Sequence, residues 1–176
     1  NLTFHLSEGD ILLFDKEVGY QVPRVPMTTL KDALVDIEAI QNFYGTLDGN
    51  GYTLTINKSS IKKLFNTLEQ KAVVKNLNIN KENIVLLDTE KKYVIGTLSG
   101  KVINSNIYNV TISESNIDIT KGKDNSYIVG GLIGEVSTDN NIHNIYLDTI
   151  INTTYDNIGK LFYILDSNVT DIISVV

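Results

Sequence analysis

The sequence contains no cysteine and no tryptophan, one methionine and two prolines. Without cysteine it has no disulfide, no thiol nucleophile and no thiolate-bound zinc. That lack leaves the compartment open, since it fits exported proteins of Gram-positive type as well as cytosolic ones. Basic residues are outnumbered: 15 Lys and Arg face 21 Asp and Glu, for a net charge of −6. Binding to a polyanion depends on cationic side chains displacing counterions. Nucleic acid and anionic membranes are therefore not expected as partners. No apolar run approaches the ~20 residues that a membrane-spanning helix needs, so membrane insertion is not expected either. No basic-then-apolar signal segment stands at Asn1. With "NLTFHL" at one end and "IISVV" at the other, the chain reads as a piece of a longer protein.

What is abundant is β-forming and repetitive. At 176 residues and 42% hydrophobic, the chain is the size of one domain with a substantial core. Four segments align with one another: "KLFNTLEQKAVVKNLNIN" (63–80), "YVIGTLSGKVINSNIYNVTIS" (93–113), "YIVGGLIGEVSTDNNIHNIYLD" (127–148) and "NIGKLFYILDSNVTDIISVV" (157–176). In this alignment Leu68, Leu98, Leu132 and Leu161 are equivalent, at spacings of 30, 34 and 29 residues. Each segment closes on apolar-x-Asn-apolar, with Asn76, Asn109 and Asn144 in the first three and Asp171 in the last. A period near 30 with several short β-rich runs per unit is what a stacked solenoid requires.

Side-chain parity sharpens the reading. Leu77 and Ile79, Val110 and Ile112, and Ile145 and Leu147 are each two apart and share a strand face. Val74, Ile107 and Ile142, three residues before the first of each pair, have the wrong parity unless the chain bends at the intervening Asn. Asn tolerates the left-handed backbone that such a corner demands. Stacked at about 4.8 Å, Asn76, Asn109, Asn144 and Asp171 are expected to form a ladder. Gly96, Gly130 and Gly159 fall at equivalent places, where the chain turns or two backbones approach closely. The expected fold is all-β: a short right-handed parallel β-helix of about four coils over residues 43–176. Residues 1–42 are read as a lead-in that caps it. There "FHLSEGDILLF" reads as strand, turn and strand, and "YQVPRVPM" (20–27) as a Pro-punctuated loop. Leu30, Leu34, Ile37 and Ile40 have helical spacing, with Thr29 as N-cap, so 28–42 is expected to form a helix covering the first coil.

The run "FYGTLDGNGYTLTI" (43–56) brings a family into view. Phe43, Gly45, Thr46, Leu47, Asp48, Gly49, Asn50, Gly51 and Tyr52, followed by Leu64–Phe65 and Lys75–Asn76–Leu77, resemble the GLUG-repeat region of bacterial surface proteins. The likeness is strongest to the segment upstream of the protease domain in streptococcal-type IgA1-specific zinc metalloproteases. Gly130, Gly131, Leu132, Ile133 and Gly134 resemble the GLUG core. The similarity spans 43–148 well and 149–176 loosely, because the last copy lacks the second glycine. The resemblance implies a β-helical accessory region of an extracellular or cell-surface protein. It also implies contact with neighbouring domains of the same chain and with a host immunoglobulin or surface glycoprotein. The family's H-E-x-x-H zinc signature is missing, since neither His5 nor His143 is followed by Glu. No catalytic residue carries over.

Other chemistry finds little support in the residues. "GGLIG" lacks the Gly-Lys-Ser/Thr ending of a phosphate loop and the spacing of a dinucleotide fingerprint. Asp48 and Asn50 hint at a calcium loop, but Tyr52 and Ser59 stand where further oxygen ligands belong, so a tight turn is expected. His143 occupies the place of Lys75, Tyr108 and Thr170 in the other copies and reads as an exposed variable position. The carboxylates Asp118, Asp124, Asp139, Asp148 and Asp156 would suit a polysaccharide-cleaving β-helix only if they clustered. They recur in no common register and read as solvated turn residues. Tyr93, Tyr108, Tyr127, Tyr146, Tyr155 and Tyr163 offer outward rings suited to glycans or a protein partner. The expectation is a non-catalytic module with no metal and no cofactor. The alternatives are an adhesin repeat and a β-helical carbohydrate-active enzyme.

Overall fold

The computed structural model describes residues 3–5, 10–14, 21–26, 40–49, 51, 53–55, 65–80, 83–85, 94–120, 128–153, 158–159, 162–165 and 168–175. Within them the chain is β throughout, and no helix occurs. The largest sheet contains β1 (Thr3–His5), β5 (Thr46–Asp48), β8 (Val73–Asn80), β12 (Asn106–Asp118), β15 (Asn141–Asn152) and β18 (Asn168–Val175), in that spatial order. Two short strands flank this path: β6 (Thr53–Thr55) pairs with β8, and β9 (Asn83–Val85) pairs with β12. A second sheet orders β17 (Phe162–Leu165), β14 (Ile133–Val136), β11 (Ser99–Val102), β7 (Phe65–Leu68) and β4 (Ile40–Phe43). A third sheet, of three short strands, runs β10 (Val94–Ile95), β13 (Ile128–Gly130) and β16 (Ile158–Gly159). All pairings in these three sheets are parallel, and from β7 onward the long strands that neighbour one another come from successive sequence repeats. Parallel sheets stacked in register in this way are the arrangement of a parallel β-solenoid.

The register explains the repeats. Leu77 lies opposite Val110, Val110 opposite Ile145, and Ile145 opposite Ile172. Leu77, Val110 and Ile145 are buried in one continuous core with Val74, Ile107, Ile142 and Leu147. The parity problem is solved as the residue types demand: Asn76, Asn109 and Asn144 have φ of 53°, 54° and 52°. At each of them the strand turns a corner, so the apolar residues on both sides point inward. A second corner precedes these strands, where Lys71, Asn104 and Asp139 are also left-handed, at 67°, 45° and 60°. Beyond the main core, Ile84, Ile95, Ile117, Ile119 and Val129 form a smaller apolar cluster. The rings of Phe43 and Phe65 meet at 5.1 Å near the N-terminal end of the main core.

Three expectations need correction. Leu68 does not belong with Leu98, Leu132 and Leu161: it pairs with Val102, and the register continues to Val136 and Leu165. The spacing of 30 residues therefore joined two different columns. Phe65 faces Ser99 and Leu68 faces Val102, so aligning Leu68 with Leu98 is four residues out of register. The stretch read as a Pro-punctuated loop is instead β3 (Gln21–Pro26), antiparallel to β2 (Asp10–Phe14). A two-stranded ribbon consists of edges alone, and edges tolerate proline because its missing N–H can face away from the partner. Of the helix expected over 28–42, residues 28–39 lie outside the described residues, and Ile40–Asn42 belong to strand β4, paired with β7. Ile40 and Asn42 serve the stack there, so pairing overrode helical spacing. Within the lead-in, β1 stacks in parallel on β5.

Candidate recognition face

The corner asparagines are joined by side-chain hydrogen bonds. Asn144 Nδ2 donates to Asn109 Oδ1 at 2.6 Å, Asn109 Nδ2 to Asn76 Oδ1 at 3.0 Å, and Asn76 Nδ2 to Asp48 Oδ1 at 3.1 Å. Every amide donates in the same direction, toward the N-terminal layers. Asp48 suits that end, because an ionised carboxylate only accepts. Lys75 Nζ approaches its other oxygen at 3.5 Å. The register places Asp171 opposite Asn144, between the Thr170–His143 and Ile172–Ile145 pairs; its side chain lies outside those described.

A second ladder escaped the sequence reading. Asn116 Nδ2 donates to Asn83 Oδ1, and Asn152 Nδ2 to Asn116 Oδ1, each at 2.9 Å. Asn83 and Asn116 keep the 33-residue offset of the corner row and are each followed by Ile, a signal the sequence offered. Asn152 hides the row, because the register shifts between Ile112 and Ser115 and places it opposite Asp118. Buried Asn140 was missed as well. Its Oδ1 accepts from Ser105 N at 2.8 Å and its Nδ2 donates to Ser137 O at 2.6 Å. The neighbouring Asn141 was its only signal, and polarity alone does not separate the two.

The motif residues are taken up by stacking. Gly49 is buried, and a Cβ there would sit 2.5 Å from Asn76 O and 2.7 Å from Leu77 Cα, so only glycine lets the layers approach. Gly49 N donates to Lys75 O at 2.9 Å, and Gly51 N to Asn76 O at 2.8 Å. Gly45 O accepts from Val73 N at 2.9 Å. Asn50 lies outside the described residues. Gly130 is in register with Gly159, and the Val94–Ile128 and Ile95–Val129 pairs bring Gly96 to the same column. Gly131 O receives the buried Thr97 hydroxyl at 2.7 Å, and Leu132 O receives Leu98 N at 3.0 Å. Gly134 lies within β14.

The acids are dispersed. Asp118 Oδ1 accepts from Thr120 N at 3.0 Å and from its hydroxyl at 2.7 Å. Asp139 is an exposed corner residue, and Asp148 is half-buried on the sheet face. Asp124 and Asp156 lie outside the described residues. Among the described residues no three His, Asp or Glu side chains group as metal ligands.

His143 is half-buried rather than exposed, a correction with a clear cause. Its ring stacks on Tyr108 at 5.1 Å and 7°, close to the ~4.8 Å separation of paired strands. Its Nδ1 is buried without a hydrogen-bond partner. Of the six tyrosines expected to face outward, Tyr108 and Tyr146 are described with side chains, and Tyr146 is 38% exposed on the outer face. The result is an outward facet bordered by two amide rows, with Thr111 and Tyr146 in register between them. No protein-family model, curated protein or solved structure matches this chain.

Proposed function

We propose that the chain is a non-catalytic extracellular module: a short right-handed parallel β-helix of about four coils serving as a spacer or recognition platform in a bacterial surface protein. The parent we favour is an IgA1-protease-like zinc metalloprotease, on the strength of the "FYGTLDGNGY" and "GGLIG" runs. One observation carries the reading: the motif residues that looked most like chemistry are engaged in holding layers together. Asp48 accepts from the Asn76 amide and faces Lys75, and Gly49 makes room for the Asn76–Leu77 backbone. Residues occupied in this way are architecture, and architecture is what an accessory region supplies.

Binding of the chain to immobilised host immunoglobulin A1, measured by interferometry, tests the reading. Specific, saturable binding supports the protease-accessory role, whereas binding to other host surface proteins alone favours an adhesin repeat. Turnover of polygalacturonate or host glycans, abolished by one Asp substitution, would replace both with a carbohydrate-active enzyme.

A further inference from the structure

The facet between the amide rows holds hydrogen-bonding capacity that the fold leaves unspent. A side-chain amide has two N–H donors and an oxygen with two lone pairs. Asn109 uses one donor on Asn76 and one lone pair on Asn144, and Asn116 does the same between Asn83 and Asn152. Among the described residues the second donor and second lone pair of each take no partner, and the ladder holds them in a fixed direction. Asn144 Oδ1 accepts no hydrogen bond from the described residues.

Between the rows, the described charged residues are the carboxylates of Glu114 and Asp148, and the chain as a whole carries −6. Of the two large hydrophobic side chains exposed among the described residues, Tyr146 at 38% stands between the rows and Ile150 at 53% stands at their border, in register with Asn116. Fixed neutral donor–acceptor pairs beside an exposed ring match a ligand with hydroxyls along its edge and a C–H surface on its face. A protein partner would look for a desolvated pocket to take an aromatic or Arg anchor, and these strands present rows of side chains instead.

We infer that this facet binds a neutral oligosaccharide, its hydroxyls on the Asn109 and Asn144 amides and its apolar face against Tyr146. Acidic sugars are disfavoured by Glu114, Asp148 and the overall negative charge. The inference rests on the recognition-platform reading and gives it a ligand class.

The test titrates the full chain with neutral hexose and N-acetylhexosamine oligosaccharides and with their sialylated and sulfated counterparts, by array and by calorimetry. At least one neutral oligosaccharide should bind, and the acidic forms should bind more weakly. Tyr146→Ala should weaken binding by ~10-fold or more, the equivalent of about 1.4 kcal/mol. Thr111→Glu, which places a charge beside Tyr146, should abolish it. Both variants should melt like the parent chain, and Glu135→Ala on the second sheet should bind normally. Absence of neutral-sugar binding, or binding indifferent to Tyr146→Ala and Thr111→Glu, overturns the inference. A protein ligand that these two variants release, with no sugar bound, overturns the sugar assignment and leaves the platform reading standing. Neither kind of ligand would remove both.

Discussion

Asn109 does two jobs that substitution can separate. Its backbone is left-handed at φ 54°, and its side chain links Asn76 to Asn144. Glycine preserves the first and loses the second, whereas alanine loses both. A left-handed conformation costs a residue with a Cβ roughly 1–2 kcal/mol. Asn109→Ala should therefore be about 1 kcal/mol less stable than Asn109→Gly, measured as the difference in urea unfolding. Equal stabilities would mean that the corner imposes no backbone strain. The ladder's direction leads to a second expectation. Asn144 Oδ1 points toward a layer whose residue in register is Asp171, and a carboxylate has no proton to give at neutral pH. Asp171→Asn restores a donor and should raise stability by ~0.5–1 kcal/mol, read as a higher melting temperature. A lower melting temperature would show that the row does not continue to residue 171.

At the scale of the element, close approach and burial set the tolerances. A Cβ at Gly96 would lie 2.5 Å from both Leu132 O and Ser99 O, backbone atoms that cannot rotate away. Gly96→Ala should cost about 3 kcal/mol, the upper end for overpacking, in chemical denaturation. A cost below about 1 kcal/mol would mean that the β10–β11 turn shifts freely. Ile145 is 2% exposed and stands in the column with Val110. Ile145→Asp puts an unpaired charge into that column, which exceeds what a domain of ordinary stability of about 5–15 kcal/mol tolerates alongside the lost packing. The variant should be unfolded by circular dichroism at room temperature. A native-like spectrum and melt would refute the inward assignment of β15.

For the molecule as a whole, each layer meets only its neighbours, so stability accumulates from interfaces between them. β12 is paired along most of its length on both sides, with β8 and β9 on one and β15 on the other. Among the described residues β1 pairs over three residues with β5 alone. Amide exchange should therefore be slowest in β12 and grow faster outward toward β1 and β18. Hydrogen-exchange mass spectrometry reads this gradient directly. Uniform protection from end to end would indicate one all-or-none unit instead.

The sequence by itself determined the stacked β architecture, the columns through Leu77, Val110 and Ile145, and the corner row at Asn76, Asn109 and Asn144. Those features repeat in each layer, and a repeat is visible wherever equivalent places demand the same property: inward burial, or a backbone that Asn tolerates. Only the tertiary structure decided the features that repeat by position without repeating by residue type. Leu68 shares a column with Val102 and Val136, Asn152 meets Asn116 across an irregular register, and Asn140 bridges Ser105 and Ser137. The candidate binding facet draws on both. Its Asn109–Asn144 edge follows from the repeat, whereas the residue types at Thr111 and Tyr146, in register beside it, do not repeat. Their exposure on one face was decided by the stacking of the layers, since an outward place accepts any residue type that tolerates water.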